Sequence, residues 1–583
     1  MCEVDAGEGV STRQYSLEVA ILTRRVWVHW EGILAVGLKQ FWLRSAEVVE
    51  MVGEFFVGRW RVSASCAVAL ALLSGASASA QSAAGGNAWT GTAGVQPQTS
   101  AKNSQTGNAG TKGDAAPQDR KMTPDEAKEL LGSIDKILQF VSKDSHLPIE
   151  HDVKRTLISR DEVNKHLQKE FNEDKGAKRL ERSEIVLKKF GLLDQDFHLK
   201  PFLLTLLTEQ IAGFYDNKTK TVNLLDWVAP EEQKPVMAHE LTHALQDQKV
   251  NLEKWSDASM EDVSHNAKED TQHIQTDEAS TARDAVVEGQ AMVVFMDYAL
   301  QPTGKTLASS PELADRLKEL GSDTSDSPVL ARAPLLLQES LLFPYDEGLS
   351  FEDRVLVKAG VDAGFAGVLQ NPPASSTEIM HPDAYLAHTP VPVLRLPDIH
   401  PLIDAEYAPY DVGVMGELDV KILAELFGGQ QMAGALAPEW AGGVYYAAQR
   451  KNASPAEKET TASLALLYYS QWKNEDSARS FVRIYEEELP RKYSGLKRRE
   501  NDEKDGERVY TTNEGDVLIS FNGKTVYVGE GFDLALSRKL RDQIMNVQSS
   551  GPIMSAGVQR MHEPALSLAG DLARFGMMKA ALR

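Results

Sequence analysis

The sequence predicts a predominantly helical α+β protein that ends in a small α+β module. The helical prediction starts from a capping box at Thr123 and Glu126, after which apolar residues recur at helical spacing over residues 124–141. The strand prediction starts from Asn522-Gly523, a hairpin turn between two segments rich in β-branched residues. Helices predominate up to about residue 450, and a small module of helices and strands follows, which favours the α+β class.

Residues 51–80 have the pattern of a cleavable secretion signal. A basic stretch containing Arg59 is followed by a short apolar run and then by the small-residue motif Ala78-Ser79-Ala80. The apolar run is shorter than the roughly 20 residues that span a bilayer. We therefore expect an exported protein, periplasmic or secreted, that is cleaved near Ala80 and has no stable membrane span in the mature chain.

The segment ahead of this signal is longer than a signal sequence allows, since such signals total about 15–30 residues. Met51 is a better start, and residues 1–50 are interpreted as translated upstream sequence; the alternative is a cytosolic tail before a weak signal anchor. Cys2 and Cys66 both precede the cleavage point. The mature chain would have no thiolate ligand, so any metal must be held by His, Asp or Glu.

Composition divides the rest of the 583-residue chain. Residues 81–120 are rich in Ala, Gly, Ser, Thr, Asn and Gln and cannot bury enough apolar surface to fold, which predicts a disordered linker. We divide the remainder into a main region, a small α+β module and a tail, at 121–450, 455–546 and 547–583. Within the module we predict helices at 462–472, 475–489 and 533–545, and strands at 517–521 and 525–528.

The charge of the chain excludes one class of partner. The formal net charge is −22 at pH 7, which opposes binding to a phosphate backbone, so no nucleic-acid partner is expected. The hydrophobic fraction of 42% and the charged fraction of 25% are ordinary for a soluble protein with a sizeable core.

Two histidines four residues apart, with a glutamate after the first, lie in the segment 235–248. In a helix His239 and His243 share one face and can bind one ion, while Glu240 lies about 100° around the helix. The neighbouring residues are uncharged, so we expect a largely buried helix, in which such side chains are costly without a partner. We predict one Zn²⁺ ion whose water gives its proton to Glu240; the alternative is a pair of core histidines.

A catalytic zinc also needs a third protein ligand and an open position. Glu288 lies at the edge of an apolar helical stripe, beside Gly289, which has no side chain to hold two helices apart. Asp284, one turn earlier, is the alternative, either as the ligand or as the acceptor of a ligating histidine N–H. Three other candidates lie in or beside a polar connecting stretch and are expected to be solvated: Glu278, His265 and His273.

A predicted hairpin precedes the metal motif. Residues 210–215 and 221–225 suit two strands, and residues 216–220 suit the turn between them. A strand beside the metal helix can align an extended peptide by edge pairing. A purely structural hairpin is the alternative.

Together these motifs resemble the zincin metallopeptidases of the gluzincin type, in which a glutamate on a later helix is the third ligand. A nearer resemblance is to a poorly characterised group of secreted bacterial proteins with the same His-Glu-x-x-His motif. It is carried by the blocks 213–216, 239–248, 287–291, 343–348 and 372–386. The resemblance implies a zincin-like fold for residues 121–450, one zinc ion and peptide-bond hydrolysis. The chain departs from the group at Glu439-Trp440, where a Gly-Trp pair and a later Gly-Asp are expected.

The last of these blocks contains His381 and Tyr385, whose side chains can donate hydrogen bonds to the oxyanion of a tetrahedral intermediate. The alternative is a helix cap at Ser376 or Thr377 followed by a packed His-Pro turn. Both interpretations stay open from the sequence.

The leading interpretation is an exported zinc metallopeptidase that cleaves a peptide or protein substrate. Glu240 serves as the base and then as the proton donor to the leaving amine. One alternative is a non-catalytic binding or envelope-assembly protein on a zincin scaffold, although a purely structural zinc has no need of Glu240. Another is metal-dependent hydrolysis of a non-peptide bond.

Overall fold

The computed structural model describes residues 121–173, 175–210, 213–255, 265–310, 313 and 328–554. The predicted upstream segment, signal and linker lie outside these residues, as does the tail beyond residue 554. No helix in the described part of the chain is both long enough and apolar enough to cross a membrane.

The first part of the described chain is mainly helical, with three short strands. In chain order its elements are α1 (Pro124–Ser145), β1 (Lys154–Ile158), α2 (Arg160–Glu173), α3 (Lys175–Lys189), α4 (Leu199–Gln210), β2 (Phe214–Asp216), β3 (Thr221–Leu225), α5 (Pro230–Val250), α6 (Leu252–Trp255), α7 (Ala267–Thr276), α8 (Ala279–Leu300) and α9 (Leu335–Ala359). A π-helical turn follows at Ala363–Gly367.

Short helices then lead into the strands and helices of the second part. These elements are α10 (Val368–Gln370), α11 (Ser376–Met380), α12 (Pro382–Leu386), β4 (Pro392–Val393), α13 (His400–Ile403), β5 (Tyr407–Gly413), α14 (Glu417–Gly428), α15 (Gln430–Leu436), β6 (Trp440–Arg450), α16 (Pro455–Lys458), β7 (Leu464–Trp472), α17 (Glu475–Lys492), β8 (Lys497–Arg498), β9 (Glu507–Thr512), β10 (Gly515–Asn522), β11 (Thr525–Glu530), α18 (Leu534–Gln548) and β12 (Ile553–Met554). The fold class is therefore mixed α+β.

Helix α1 begins at the predicted capping box. The Thr123 side chain accepts a hydrogen bond from Glu126 N–H at 3.3 Å, and Glu126 Oε2 accepts one from Thr123 N–H at 2.8 Å. The apolar side of α1 is buried through Leu130, Ile134 and Val141, and the helix packs against α5. Helix α1 therefore helps to hold in place α5, the helix that carries His239 and His243.

The predicted hairpin is present, but its first strand is shorter and starts later than expected. Gln210 ends helix α4, and strand β2 covers only Phe214–Asp216. The strand order is β1-β3-β2, with β1 parallel and β2 antiparallel to β3, so β2 is an edge strand. Glu209 and Gln210 are good helix formers, so the helix that precedes this edge continues through Gln210.

Helices α8 and α9 approach closely where two glycines face each other. A Cβ on Gly289 would lie 2.2 Å from the carbonyl oxygen of Gly348, and a Cβ on Gly348 would lie 2.2 Å from that of Ala285. No side chain other than hydrogen fits at this crossing. The crossing sets the position of α8, the helix that carries Glu288.

The second part is built on a seven-stranded antiparallel sheet, in the order β5-β6-β7-β11-β10-β9-β8. Tyr485 of α17 donates a hydrogen bond to Glu530 of β11, whereas Ser537 of α18 contacts Tyr527 of the same strand. Residues three apart on a strand point to opposite faces, so the two helices cover opposite faces of the sheet. Strands β5 and β6 come from before residue 455, so the sheet of the module is completed by the preceding region.

One predicted helix of the module is wrong. Within the segment 462–472, Leu464–Trp472 forms the interior strand β7, which pairs with β6 on one side and with β11 on the other. Every side chain from Leu464 to Ser470 is at most 2% exposed, so both faces of the strand are covered. A continuous apolar run has no alternation, and its periodicity does not separate a buried strand from a buried helix.

The other elements of the module agree with their predictions. Helices α17 and α18 cover the segments predicted as helices, and β10 and β11 form the predicted hairpin. The turn is displaced by one residue, because Asn522 pairs with Thr525 and Gly523-Lys524 forms the loop. Gly523 adopts φ +57, a left-handed conformation that glycine takes at little cost.

Candidate metal centre

Helix α5 brings the two motif histidines together on one face. Their rings are 4.7 Å apart between centroids, and the two Nε2 atoms are 3.1 Å apart. His239 is 5% exposed and His243 is 2% exposed. The uncharged residues around them made this burial predictable, and the helical rise places side chains four residues apart in contact.

Helix α8 places Glu288, the predicted third ligand, beside the two histidines. Glu288 Oε2 lies 3.1 Å from His239 Nε2 and 3.8 Å from His243 Nε2, and Glu288 is 1% exposed. The ligand atoms of the three residues all lie within 4.8 Å of one another. We call this group the metal cluster.

The donor set of the metal cluster fits a divalent metal ion. An ion bound tetrahedrally at about 2.0–2.1 Å would separate its ligand atoms by about 3.3 Å, and the observed separations of 3.1, 3.1 and 3.8 Å scatter about that value. Two imidazoles and one carboxylate suit zinc and other first-row divalent ions better than calcium or magnesium.

Asp284, the alternative ligand, is buried one turn before Glu288 but is not part of the metal cluster. Among the described residues, the group with three convergent ligand atoms contains Glu288. The structure therefore favours Glu288 over Asp284 as the acidic ligand.

Glu240, the predicted base, is fully buried beside the edge strand. Its Oε2 accepts a hydrogen bond from the backbone N–H of Tyr215 in β2 at 2.9 Å. This contact holds one carboxylate oxygen in place without adding a competing positive charge.

A polar contact fastens the β2–β3 hairpin to the end of helix α5. Tyr215 donates its hydroxyl to Asp247 Oδ2 at 2.6 Å, and Lys220 Nζ lies 2.7 Å from the same oxygen. Asp247 also accepts the N–H of Leu252 at 3.0 Å. Burial and the hydrogen bond to Asp247 raise the pKa of Tyr215, so its hydroxyl stays protonated as a donor. The hairpin, and with it the Tyr215 N–H, is thereby held against Glu240.

Sequence reasoning missed two buried glutamines next to the metal cluster. His243 Nδ1 lies 2.9 Å from Gln246 Oε1, and Gln246 Nε2 donates to Gln290 Oε1 at 2.9 Å. Both glutamines are 0% exposed. The contact of Gln246 with His243 could have been predicted from the sequence, because residues three apart in a helix are neighbours. No comparable local signal exists for Gln290.

His381 and Tyr385 have partners outside the metal cluster. His381 Nε2 lies 2.7 Å from Glu417 Oε1, and this hydrogen bond raises the pKa of His381. Tyr385 donates its hydroxyl to the carbonyl oxygen of Asn371 at 2.7 Å, and burial raises the pKa of Tyr385 to about 12. These contacts fit the structural interpretation of both residues, and their catalytic role stays a prediction.

The helix cap predicted near these residues lies one position earlier than expected. Ser375 accepts the N–H of Glu378 and caps α11, while Ser376 donates its hydroxyl to Glu278 Oε1 at 2.8 Å.

Two residues that were expected to be solvated are buried instead. Glu278 is 7% exposed and His273 is 4% exposed, whereas His265 is exposed as predicted. Burial, and next the charge of Asp419, raise the pKa of Glu278 well above its ordinary value. The prediction failed for Glu278 because its side chain occupies space that Gly416 leaves open. A Cβ on that glycine would lie 1.8 Å from Glu278 Oε1.

Comparison of the chain with protein-family models, with curated proteins and with solved structures gave no match in any of the three.

Proposed function

We propose that this protein is an exported zinc-dependent peptidase. The observation that carries the proposal is the buried metal cluster with Glu240 next to it on the same helix. His239, His243 and Glu288 would hold the ion. When bound, zinc supplies a Lewis acid that lowers the pKa of a water towards about 7 and polarises a carbonyl.

In this proposal Glu240 moves the proton. Its carboxylate takes a proton from the attacking water and later delivers it to the nitrogen of the leaving amine. The Tyr215 N–H contacts Glu240 Oε2 at 2.9 Å, which fixes the position of the carboxylate that exchanges the proton. A fixed carboxylate reduces the reorganisation needed during the reaction.

The substrate in this proposal is an extended peptide. Strand β2 lies at the edge of its sheet, and its Tyr215 N–H already faces Glu240 rather than β3. An extended segment lying along this edge would run past the base and the metal cluster, and the Tyr215 N–H would stay bonded to Glu240 instead of pairing with the segment. The carbonyl carbon and the amide nitrogen of a peptide bond would then lie beside the side chains that act on them.

One observation favours a second candidate, a binding or envelope-assembly protein on the same scaffold. His239, Glu240, His243 and Glu288 are each at most 5% exposed, whereas a catalytic metal keeps an open position. Peptidase activity therefore requires a movement that admits substrate. The second candidate requires none.

Metal analysis combined with peptide cleavage tests the proposal. We expect purified protein to contain one zinc per chain, to cleave a mixed peptide library, to lose this activity with a chelator and to regain it with added zinc. Glu240→Gln should retain zinc and lose activity by about 10²–10⁴-fold.

Glu231→Gln is the matched control for this test, because Glu231 is an exposed glutamate on the same helix. It should behave as the wild type. Zinc binding without cleavage of any peptide would support the second candidate, and equal cleavage by Glu240→Gln would exclude Glu240 as the base.

A further inference from the structure

We propose that Gln246 and Gln290 are positioning residues that hold His243 in the one tautomer whose Nε2 lone pair faces His239 and Glu288. The inference rests on the metal-binding part of the proposed function and not on the hydrolysis. It follows from hydrogen bonds that leave each amide a single orientation.

The orientation of Gln246 is set by helix α8. Gln246 Nε2 donates to the backbone carbonyl of Val287 at 3.0 Å, and a carbonyl oxygen can only accept. The amide oxygen of Gln246 must then face His243 Nδ1, 2.9 Å away. Because an amide oxygen also only accepts, Nδ1 carries the hydrogen and Nε2 is left with its lone pair.

The orientation of Gln290 is set in turn by the π-helical turn. Gln290 Nε2 donates to the carbonyls of Gly364 at 2.9 Å and Phe365 at 3.1 Å. Both hydrogens of this amide are thereby used on acceptors, and its oxygen faces Gln246 Nε2 at 2.9 Å. Gln246 Nε2 can therefore donate its second hydrogen to Gln290 Oε1 only in the amide orientation that the Val287 carbonyl already requires.

The two glutamines also join the helices that carry the ligands. Gln246 lies on α5 with His243, and Gln290 lies on α8, two residues after Glu288. His243, Gln246 and Gln290 are each at most 2% exposed, so water does not compete for these hydrogen bonds. Partners of this kind, which bind the second nitrogen of a ligating histidine, typically contribute about 10–100-fold to metal affinity.

Zinc affinity of the full chain, measured by competition with a chelator, is the first test. Gln246→Met preserves the length of the side chain and removes its hydrogen bonds, and we expect zinc affinity to fall about 10–100-fold. Gln246→Glu keeps an acceptor for Nδ1–H and should bind zinc more tightly than Gln246→Met.

Gln248→Met is the matched control, because Gln248 lies on the same helix and bonds to the backbone of Glu150 and His151 instead. It should retain the affinity of the wild type. An equal loss of affinity in this control would show a general effect on α5 and would overturn the proposal.

The tautomer of His243 in metal-free protein is the second test, read from two-bond ¹⁵N–¹H correlations of labelled histidine. We expect the Nδ1–H form in the wild type and a mixture with the Nε2–H form in Gln246→Met. Unchanged zinc affinity in Gln246→Met, or an unchanged tautomer, would overturn the proposal. Failure to cleave peptides would count against the proposed function alone, since neither measurement depends on hydrolysis.

Discussion

Glu288 Oε2 lies 3.1 Å from His239 Nε2, although the two residues belong to different helices. Neither helix forms this pair by itself. The contact depends on the packing of α8 against α5 on one side and against α9 on the other. Glu288 thus joins the metal cluster through tertiary packing, and its predicted role as a ligand can be tested separately from the histidine motif.

Replacing the acidic ligand should weaken metal binding selectively. Glu288→Gln removes the anionic donor from the metal cluster, and we expect a larger loss of zinc affinity than the roughly 10–100-fold typical of outer partners. Asp284→Asn, one turn earlier, should keep zinc close to the affinity of the wild type. Chelator competition measures both, and circular dichroism checks that both are folded. A reversal of the two results would identify Asp284 as the ligand.

The crossing of α8 and α9 should not tolerate a methyl group. Gly289→Ala places a Cβ 2.2 Å from the carbonyl oxygen of Gly348, so we expect a loss of about 1–3 kcal/mol or more in the free energy of unfolding. Displacement of α8 should also lower zinc affinity. Urea denaturation measures the first effect.

Gly132→Ala is the control for this crossing, since it is also a helical glycine but nothing lies within 4 Å of its Cβ position. It should stabilise the protein by about 0.5–1 kcal/mol, because alanine is the better helix former. Stabilisation by both substitutions would contradict a tight crossing.

A buried acid near Gln290 should make stability depend on pH. Glu352 is 0% exposed, and burial raises its pKa well above the ordinary value of 4.5. The folded state therefore holds the proton more tightly than the unfolded state. Protonated Glu352 therefore favours folding at low pH, and the free energy of unfolding falls as pH rises above about 4.5.

Glu352→Gln should remove this contribution to the pH dependence. Between pH 5 and pH 8 the free energy of unfolding should fall more in the wild type than in the variant. Urea denaturation at both pH values measures this difference. Parallel curves for the two proteins would show that Glu352 titrates normally.

Tyr385 should contribute to stability and not to hydrolysis. Its hydroxyl donates to the carbonyl of Asn371 at 2.7 Å, so Tyr385→Phe should cost about 0.5–1.5 kcal/mol in the free energy of unfolding. The rate of peptide cleavage should be unchanged. A loss of about 10²–10³-fold in kcat would instead assign Tyr385 the oxyanion role that the sequence left open.

Local features of the chain were predictable where local chemistry decides them. The capping box at Thr123 and the shared face of His239 and His243 depend on residues within one helical turn, and both are present. The strand at Leu464–Trp472 was not predictable, because its apolar run is compatible with either a helix or a strand. Its neighbours β6 and β11 decide between them by supplying backbone hydrogen bonds on both sides.

By itself, the sequence determined a helix with two imidazoles and a carboxylate at the spacing that suits one ion and one base. The tertiary structure decided which acid joins them, since Asp284 and Glu288 lie one turn apart on the same helix and only the packing of that helix distinguishes them. It also decided the surroundings of His243, because the amide of Gln246 is oriented by a carbonyl from another helix. The physical reason is range: helical spacing acts within a few residues, whereas coordination and buried hydrogen bonds need atoms from distant segments within about 3 Å.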